Sequence, residues 1–460
     1  ERNVESDFLL IVLRDLLKHR SDLRIVLMSA TLNADTFAQY FERAVTTKGS
    51  VPKLHVPGFT FPVDEKFLEE ALEWTGLDLC KAMANSSNRR NGGGGGSRGR
   101  RQSRWAKRRK QNSAKRFRFG GGENGGGAQE EDRPGDEDDE ETVRKRKEEE
   151  YRKALRSKGF SETTINGTLN FNDDDLPYDV IAAMVEKIDR TEPDGAILIF
   201  MTGFGEISKL HDMLKDKKNN SWLLYPLHGS MPTSQQRAIF KVPPPNKRKI
   251  VIATNIAESS ITIEDVVYVL DCGKHKEKTY DEEQNLACLL PAWVSRASAH
   301  QRRGRAGRVQ AGKCWHIFPR RQLDEMDEYQ LPEIVRTPLE QLCLQVRALG
   351  LAADGVGGIK AFVSKALTPP KELALTNALT KLVGIGALRE DNEQLTPLGG
   401  HLAMLPLEPA IGKALVYAAL FDCLEPVLTI TAILSHRNPF LMPLEHKDKA
   451  DRAKRRFADG

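Results

Sequence analysis

The sequence predicts an α/β fold: a mostly parallel sheet with helices on both faces, followed by a helical C-terminal region. Three observations carry this. From Leu176 onward, helical stretches and short apolar runs alternate: YDVIAAMVEKI, GAILIFMTG (195–203), FGEISKLHDMLK, WLLYPLHG (222–229), a helix around SQQRAIF, KIVIATNI (249–256) and VVYVLDCG (266–273). Runs this short and this apolar suit strands buried on both faces, and a helix between successive strands is the connection that parallel pairing requires. Several runs then end in small polar residues, as strands do where they face a ligand in open α/β sheets. Beyond Pro319 the apolar spacing turns helical, in PLEQLCLQVRALGL, AFVSKAL, LALTNALTKLVGIGAL, LGGHLAMLP and AIGKALVYAALF. Among these, ALREDNEQLTPLG reads as a small β-hairpin, which would close the helices into a winged-helix-like unit.

The chain begins in the same style. Residues 5–20 have helical apolar spacing, and LRIVLMSAT (23–31) reads as a short buried strand. The opening is a charged run without Met or a signal peptide, which suggests a piece cut from something longer. At 460 residues there is length for about three domains. The balance of 29% charged residues and a net charge of +5 does not by itself announce a nucleic-acid binder. Six scattered cysteines without a C-x-x-C pair argue against a zinc site or a disulfide framework. Asp422, Glu425 and Pro426 interrupt the apolar stretch from Ala414 to Leu434, so it reads as buried helices and not as a membrane span.

One segment breaks the pattern. Residues 85–120 hold thirteen Lys and Arg and no Asp or Glu, and an acidic run follows at 130–141. Such composition cannot bury enough apolar area to offset its ordering entropy, so about 85–145 is expected to be disordered. The run VRKRKEEEYRKALRSKG would form a short exposed helix. Trp105, Phe117 and Phe119 interleave with the arginines as in sequence-tolerant single-strand binders. The alternatives are a solvated linker and a nuclear-localisation signal.

The chemistry is expected at the strand ends: Ser29-Ala30-Thr31, Thr202-Gly203, Thr254-Asn255 and the loop into Gln301. Hydroxyls and exposed amides there suit phosphate oxygens, although the same residue types also cap helices. QRRGRAGR (301–308) then puts four arginines and two glycines into eight residues. If Gln301 starts a helix, Arg305 and Arg308 share its face, and Gly304 and Gly307 leave room for close approach. Two guanidiniums so placed can clasp a polyphosphate, with Gln301 orienting a water. An RNA-binding basic patch or a solvated arginine face remains open on this stretch alone.

QRRGRAGR resembles motif VI of the DEAH/DExH-box RNA helicases of superfamily 2. TNIAESSITIEDVVYVLDCG (254–273) resembles their motif V, SAT (29–31) motif III, ILIFMTG (197–203) motif IV and PLHGSMPTSQQRAIF (226–240) motif IVa. ERNVESDFLL (1–10) is similar to the segment after the D-E-x-H box, and LTPLGGHLAMLPLEPAIGKAL (395–415) to the junction of winged helix and ratchet. The resemblance implies two RecA-like helicase lobes followed by the winged helix and ratchet region. Residues 1–84 would end the first lobe, 85–175 form an insert, 176–330 the second lobe, 331–400 the winged helix and 401–460 the start of the ratchet.

By the same resemblance, ATP binds between the lobes, and its hydrolysis drives 3′-to-5′ translocation on structured RNA. Gln301, Arg305 and Arg308 are the expected catalytic residues. Ser29, Thr31 and Asp265 would couple to the nucleotide, and Thr202, Gly203, Thr254 and Asn255 would hold RNA phosphates. Residues 274–290 would form the strand-separating hairpin. The phosphate-binding lysine and the Mg2+ ligand are expected upstream of residue 1, so these residues alone should not hydrolyse ATP. The near miss GRVQAGKC (307–314) reads as a turn at Gly312-Lys313 and not as a P-loop. Ser259 and Gly400 depart from the family pattern, Gly400 standing where a larger polar residue is usual. A non-catalytic RNA-binding scaffold and a DNA-acting translocase are the alternative functions. A helper protein is a possible partner, no membrane is expected, and the setting would be cytoplasmic, nuclear or both.

Overall fold

A computed structural model describes residues 2–29, 34–42, 51–58, 60–84, 136–173, 175–229, 231, 233–259, 261–436, 439–440 and 447–457. These fall into two compact units, Glu1–Lys66 with Glu192–His316 and Arg321–Gly460, and Phe67–Thr191 with Ile317–Arg320.

The larger unit is built on a six-stranded sheet. Its strands are β1 (Val63–Lys66), β2 (Ala196–Phe200), β3 (Trp222–Leu227), β4 (Arg248–Ala253), β5 (Val266–Asp271) and β8 (Gly312–His316). The spatial order is β1-β8-β5-β2-β4-β3, and every pair is parallel. β2, β4 and β5 are buried at every position, the mark of a sheet covered on both faces. Right-handed crossovers explain the covering. The step from β2 out to β3 carries helix Phe204–Asp216 over one face. The returning steps place helices Thr233–Ala238, Ile256–Ser259 and Arg296–Arg303 on the other. There Ile239, Ala257 and Ala306 pack on Leu198, Phe200, Val251 and Val269. β6 (Lys274–Asp281) and β7 (Leu286–Trp293) form a separate antiparallel hairpin.

The same unit holds a second core. Leu342, Cys343 and Val346 meet Phe362, Leu375, Leu379, Leu382 and Leu402, with Ile11 of helix Val4–Leu16 fully buried among them. Arg2 fixes that helix: its guanidinium holds Asp7 through Nε and Nη2 at 3.0 and 3.1 Å and donates to Thr368 at 2.9 Å. The hairpin expected in ALREDNEQLTPLG is reduced to one bridge, Leu388 to Leu395. The smaller unit packs helix Leu68–Thr75 with Glu162–Leu169 and Tyr178–Thr191.

Several expectations are corrected. LRIVLMSAT is no strand over its described part: residues 23–29 are irregular, with Val26 and Met28 78% and 88% exposed. No described strand pairs with this run, and an apolar segment without a ladder partner does not become a strand. Residues 1–84 are not one body. β1 hydrogen-bonds to β8 in the sheet expected to start only at 176, while helix Val4–Leu16 belongs to the helical core beyond 331.

The expected disorder at 85–145 lies largely outside the described residues, as do Trp105, Phe117 and Phe119. Its end is helical, since Asp136–Ser157 forms a 22-residue helix. Arg146 pairs with Glu150 one turn on, and the helix docks through buried Leu155 and a hydrogen bond between Tyr151 and Glu69. The helices at 409–435 are less buried than the sequence suggests, with Leu420 and Phe421 72% and 75% exposed. No single described helix is long and apolar enough to cross a membrane.

Candidate functional site

The arginine-rich stretch is where sequence and structure differ most usefully. Helix Arg296–Arg303 begins at Ser295, whose hydroxyl accepts from the Ser298 amide at 3.1 Å. Gln301 therefore sits in its last turn and does not start it. The helix stops at Gly304, and Arg305 to Arg308 follow in tight turns. Two glycines in eight residues weaken helix continuation, and the second is needed where it stands. A Cβ at Gly307 would lie 2.6 Å from the Phe61 carbonyl oxygen and 2.7 Å from Val63 Cγ2. The close approach expected at Gly307 is thus to the backbone entering β1, not to a ligand.

The break in the helix sends the four arginines to different partners. Arg302 is completely buried and spans two carboxylates, Glu258 at 2.9 Å and Asp271 at 2.8 Å, with the Phe200 ring 4.9 Å away. Arg303 donates to Glu65 at 3.0 Å. Glu65 also meets His316 Nε2 at 3.0 Å, and His316 Nδ1 lies 3.2 Å from Asp271. The result is a continuous chain Arg303–Glu65–His316–Asp271–Arg302–Glu258. Hydrogen bonding from His316, opposed by burial and aided by Arg303, lowers the Glu65 carboxyl to about 2. Burial would raise Asp271, but Arg302 and His316 outweigh it and hold it at about 2. Burial would likewise lower His316, yet Cys314, Asp271 and Glu65 leave it well above its usual value. These groups are charged, matched and internal, which makes them a structural brace.

Arg305 and Arg308 are different. They line a narrow recess with Leu198, Ala257, Ile261, Ile263 and Val266, at the amino ends of β1, β5 and β8. Arg305 Nε reaches only the Gln301 carbonyl, at 3.4 Å, and its Nη1 is buried without a hydrogen-bond partner among the described residues. Burial, with Arg308 beside it, lowers Arg305 to about 10 despite some relief from Glu258. Burial also lowers Arg308, whose guanidinium donates to the Thr262 hydroxyl. At neutral pH both remain cationic, and no carboxylate is among the described residues that line the recess. An arrangement of this kind is made for an anion.

The other expected residues divide between the two edges of the sheet. Thr202 and Thr254 are buried just past the carboxyl ends of β2 and β4, followed by buried Gly203 and exposed Asn255. Asp265 lies at the opposite edge, before β5. Its Oδ1 is 2.7 Å from Lys249 Nζ, and this 1%-exposed lysine also donates to the Ile239 and Lys241 carbonyls. One carboxylate oxygen thus meets a buried cation, while Oδ2 is buried without a hydrogen-bond partner among the described residues. Ser29 is exposed, and Thr31 lies outside the described residues. The near-miss P-loop runs into β8: Gly312 and Lys313, expected to form a turn, are the first residues of the strand, and Lys313 pairs with Glu192 at 2.7 Å.

The residues of the brace were not singled out from the sequence. A signal existed: Asp271 in VVYVLDCG and His316 in CWHIF are ionisable residues inside apolar strand runs, and such a group needs a buried partner.

The chain matches three family models: the helicase conserved C-terminal domain over residues 179–310, the winged-helix part of the helicase-associated domain over 378–407, and its ratchet-like part over 408–460. All of the chain aligns with the DExH-box ATP-dependent RNA helicase DExH1 of Arabidopsis thaliana at 48% identity. It aligns over its whole length with the ATP-dependent DNA/RNA helicase DHX36 of Mus musculus at 42%. It spans 41% of the length of each. The crystal structure of the DEAH/RHA helicase HrpB of Escherichia coli superposes on 94% of the chain, and on 40% of its own, with a TM-score of 0.61 at 23% identity, a likeness of fold.

Proposed function

Because the chain belongs to the DEAH/DExH-box helicases of superfamily 2, we propose that its larger unit supplies the arginine half of an ATP site and one wall of an RNA path. In this reading residues 61–66 and 192–316 make the sheet of the second RecA-like lobe. The remainder beyond 331 makes the winged helix and the start of the ratchet. The supporting observation is the sorting of the arginines. Arg302 and Arg303 have carboxylate partners, whereas Arg305 is desolvated beside Arg308 in a recess without one.

The chemistry follows from that arrangement. Hydrolysis of the terminal phosphoanhydride builds negative charge on the transferring phosphoryl group. Two guanidiniums held in a recess of low polarity stabilise that charge more than they could in water. Arg305 gains most, because burial beside Arg308 has already weakened its hold on its proton. Gln301 shares the last helical turn with the carbonyl that Arg305 touches, and it would orient the attacking water. The donor set suits phosphates and not their metal ion, so no step here is assigned to Mg2+. Thr202, Gly203, Thr254 and Asn255 at the opposite edge would hold backbone phosphates. Loss of the γ-phosphate would release the arginines and let the grip on RNA move, 3′ to 5′.

The test is RNA-stimulated ATP hydrolysis by the complete protein with Arg305→Lys and Arg308→Lys. A lysine keeps the charge but not the planar fork, and loss of such an arginine costs roughly a thousandfold in rate. Hydrolysis should collapse while affinity for single-stranded RNA is unchanged. Either variant retaining more than a tenth of the rate would overturn the assignment. DNA offers the same backbone phosphates, and the mouse relative is named for both nucleic acids. Comparing stimulation by RNA and DNA of one sequence separates the two.

A further inference from the structure

The carboxyl edge of the sheet also carries a lysine–glutamate pair. Lys276, on β6, extends over Gly203, and its ammonium is 3.5 Å from Glu206 Oε2 in the first turn of helix Phe204–Asp216. The approach is close enough to fix the residue beneath: a Cβ on Gly203 would stand 2.7 Å from Lys276 Nζ and 3.0 Å from Glu206 Oε2. The two side chains keep 36% and 29% exposure, so the pair is open to solvent. Thr202, the residue proposed to take a backbone phosphate, immediately precedes Gly203. It is buried, and its hydroxyl has only a long 4.0 Å contact to Cys272 Sγ.

A half-exposed ion pair contributes little to stability, so this pair is no brace of the Arg302 kind. It does determine what the ammonium does before RNA arrives. A lysine over the residue that follows a threonine proposed to bind phosphate can itself take a phosphate, and here a carboxylate already occupies it. The first turn of a helix favours that carboxylate, which explains why it stays when no other anion is present.

We propose that Lys276 is a phosphate-binding residue of the RNA path and that Glu206 is its built-in competitor, displaced when a backbone phosphate binds. The proposal rests on the assignment of Thr202 to RNA phosphate. A strand entering the site exchanges one anion for another at Lys276. Affinity is thereby held below what the cations alone would give, and a departing strand has its replacement carboxylate at hand. Gly203 is glycine because the ammonium passes over it.

The experiment measures fluorescence anisotropy of a labelled single-stranded RNA on the complete protein across a salt series, without nucleotide. Lys276→Met should lose severalfold in affinity and lower the salt slope by about 0.7, the share of one phosphate on a single strand. Glu206→Gln should shift the other way, binding about two- to fivefold tighter, the range an exposed ion pair supplies. Gly203→Ala, whose backbone is extended and tolerates any residue, should weaken binding in the wild type and add nothing in Lys276→Met. The inference is overturned if Glu206→Gln binds RNA as weakly as Lys276→Met, because the pair is then only a clamp. It is also overturned if Lys276→Met leaves the slope unchanged while Thr202→Ala weakens binding. If Thr202→Ala and Lys276→Met are both silent, the assignment of this edge to RNA fails first, and the inference fails with it.

Discussion

Arg302 and Arg305 are three residues apart in one motif, and the structure requires them to fail in opposite ways when replaced by Met. Arg302 is fully buried, and the side chains of its partners Asp271 and Glu258 are 0% and 13% exposed. Removing it leaves Asp271 with His316 and the Gly273 amide, and one carboxylate of the brace uncompensated inside the sheet unit. Breaking a buried pair in this way costs about 3–5 kcal/mol. At roughly 1–2 °C per kcal/mol for a unit of more than 300 residues, Tm should fall by about 3–10 °C. Arg305 carries the reverse sign. Its folded value of about 10 lies below its unfolded one, so folding works against its charge at neutral pH. At about 1.4 kcal/mol per pKa unit the bound is roughly 3 kcal/mol, and its part exposure reduces this to about 1–2 kcal/mol. Arg305→Met should therefore melt at the wild-type temperature or a few degrees above it, even though its proposed role requires it to lose hydrolysis. Calorimetry at pH 7.5 reads both. Adding Asp271→Asn to Arg302→Met should recover part of the loss, since the stranded charge is then gone. An Arg302→Met protein within 2 °C of wild type, or an Arg305→Met protein destabilised as much as Arg302→Met, would refute the sorting.

The brace also sets an acid limit. Asp271 and Glu65 each fall to about 2 when folded, below their ordinary values, so their contribution is complete above about pH 5 and is lost as pH drops toward 2. Urea midpoints should decline over that window in the wild type and less steeply in Asp271→Asn; equal slopes would contradict it. Gly307→Ala should destabilise the sheet and raise hydrogen exchange in β1, because its Cβ would meet the Phe61 carbonyl at 2.6 Å, whereas at Gly304 the nearest such contact is an ordinary 3.4 Å. Gly304→Ala should fold normally, and equal effects at the two glycines would remove the stated reason for Gly307.

The α/β pattern was legible because it rests on local physics. Apolar runs at β2, β4 and β5 are buried throughout, and helices lie where 3.6-residue spacing put them, so periodicity alone located them. The failures share a different cause. LRIVLMSAT carries an apolar run like those of the strands, yet a strand also needs a neighbour, and neighbours are not written in a run. β1 is the converse case. VDEK is too polar and too short to announce itself, and it is a strand because β8 supplies a ladder from Val63–Gly312 to Lys66–Trp315. The exposed side chains of the C-terminal helices belong to the same class, since burial depends on what packs against an apolar face and not on the face alone.

The candidate site shows where motif reading reaches its limit. QRRGRAGR presents four like residues, and nothing in the string separates them. The separation comes from the helix end at Gly304. Before it, Arg302 lies on the last turn of a helix that contacts β5, and it meets Asp271 at the carboxyl end of that strand. After it, the chain is pulled against Phe61, and Arg305 and Arg308 are carried to the amino ends of the strands. The same logic places Asp265 with Lys249 and leaves Thr202 and Thr254 at the other edge. Residues that read as one cluster along the chain thus take different places in space, because a single interrupted turn decides which cations meet carboxylates and which lie in a recess without one.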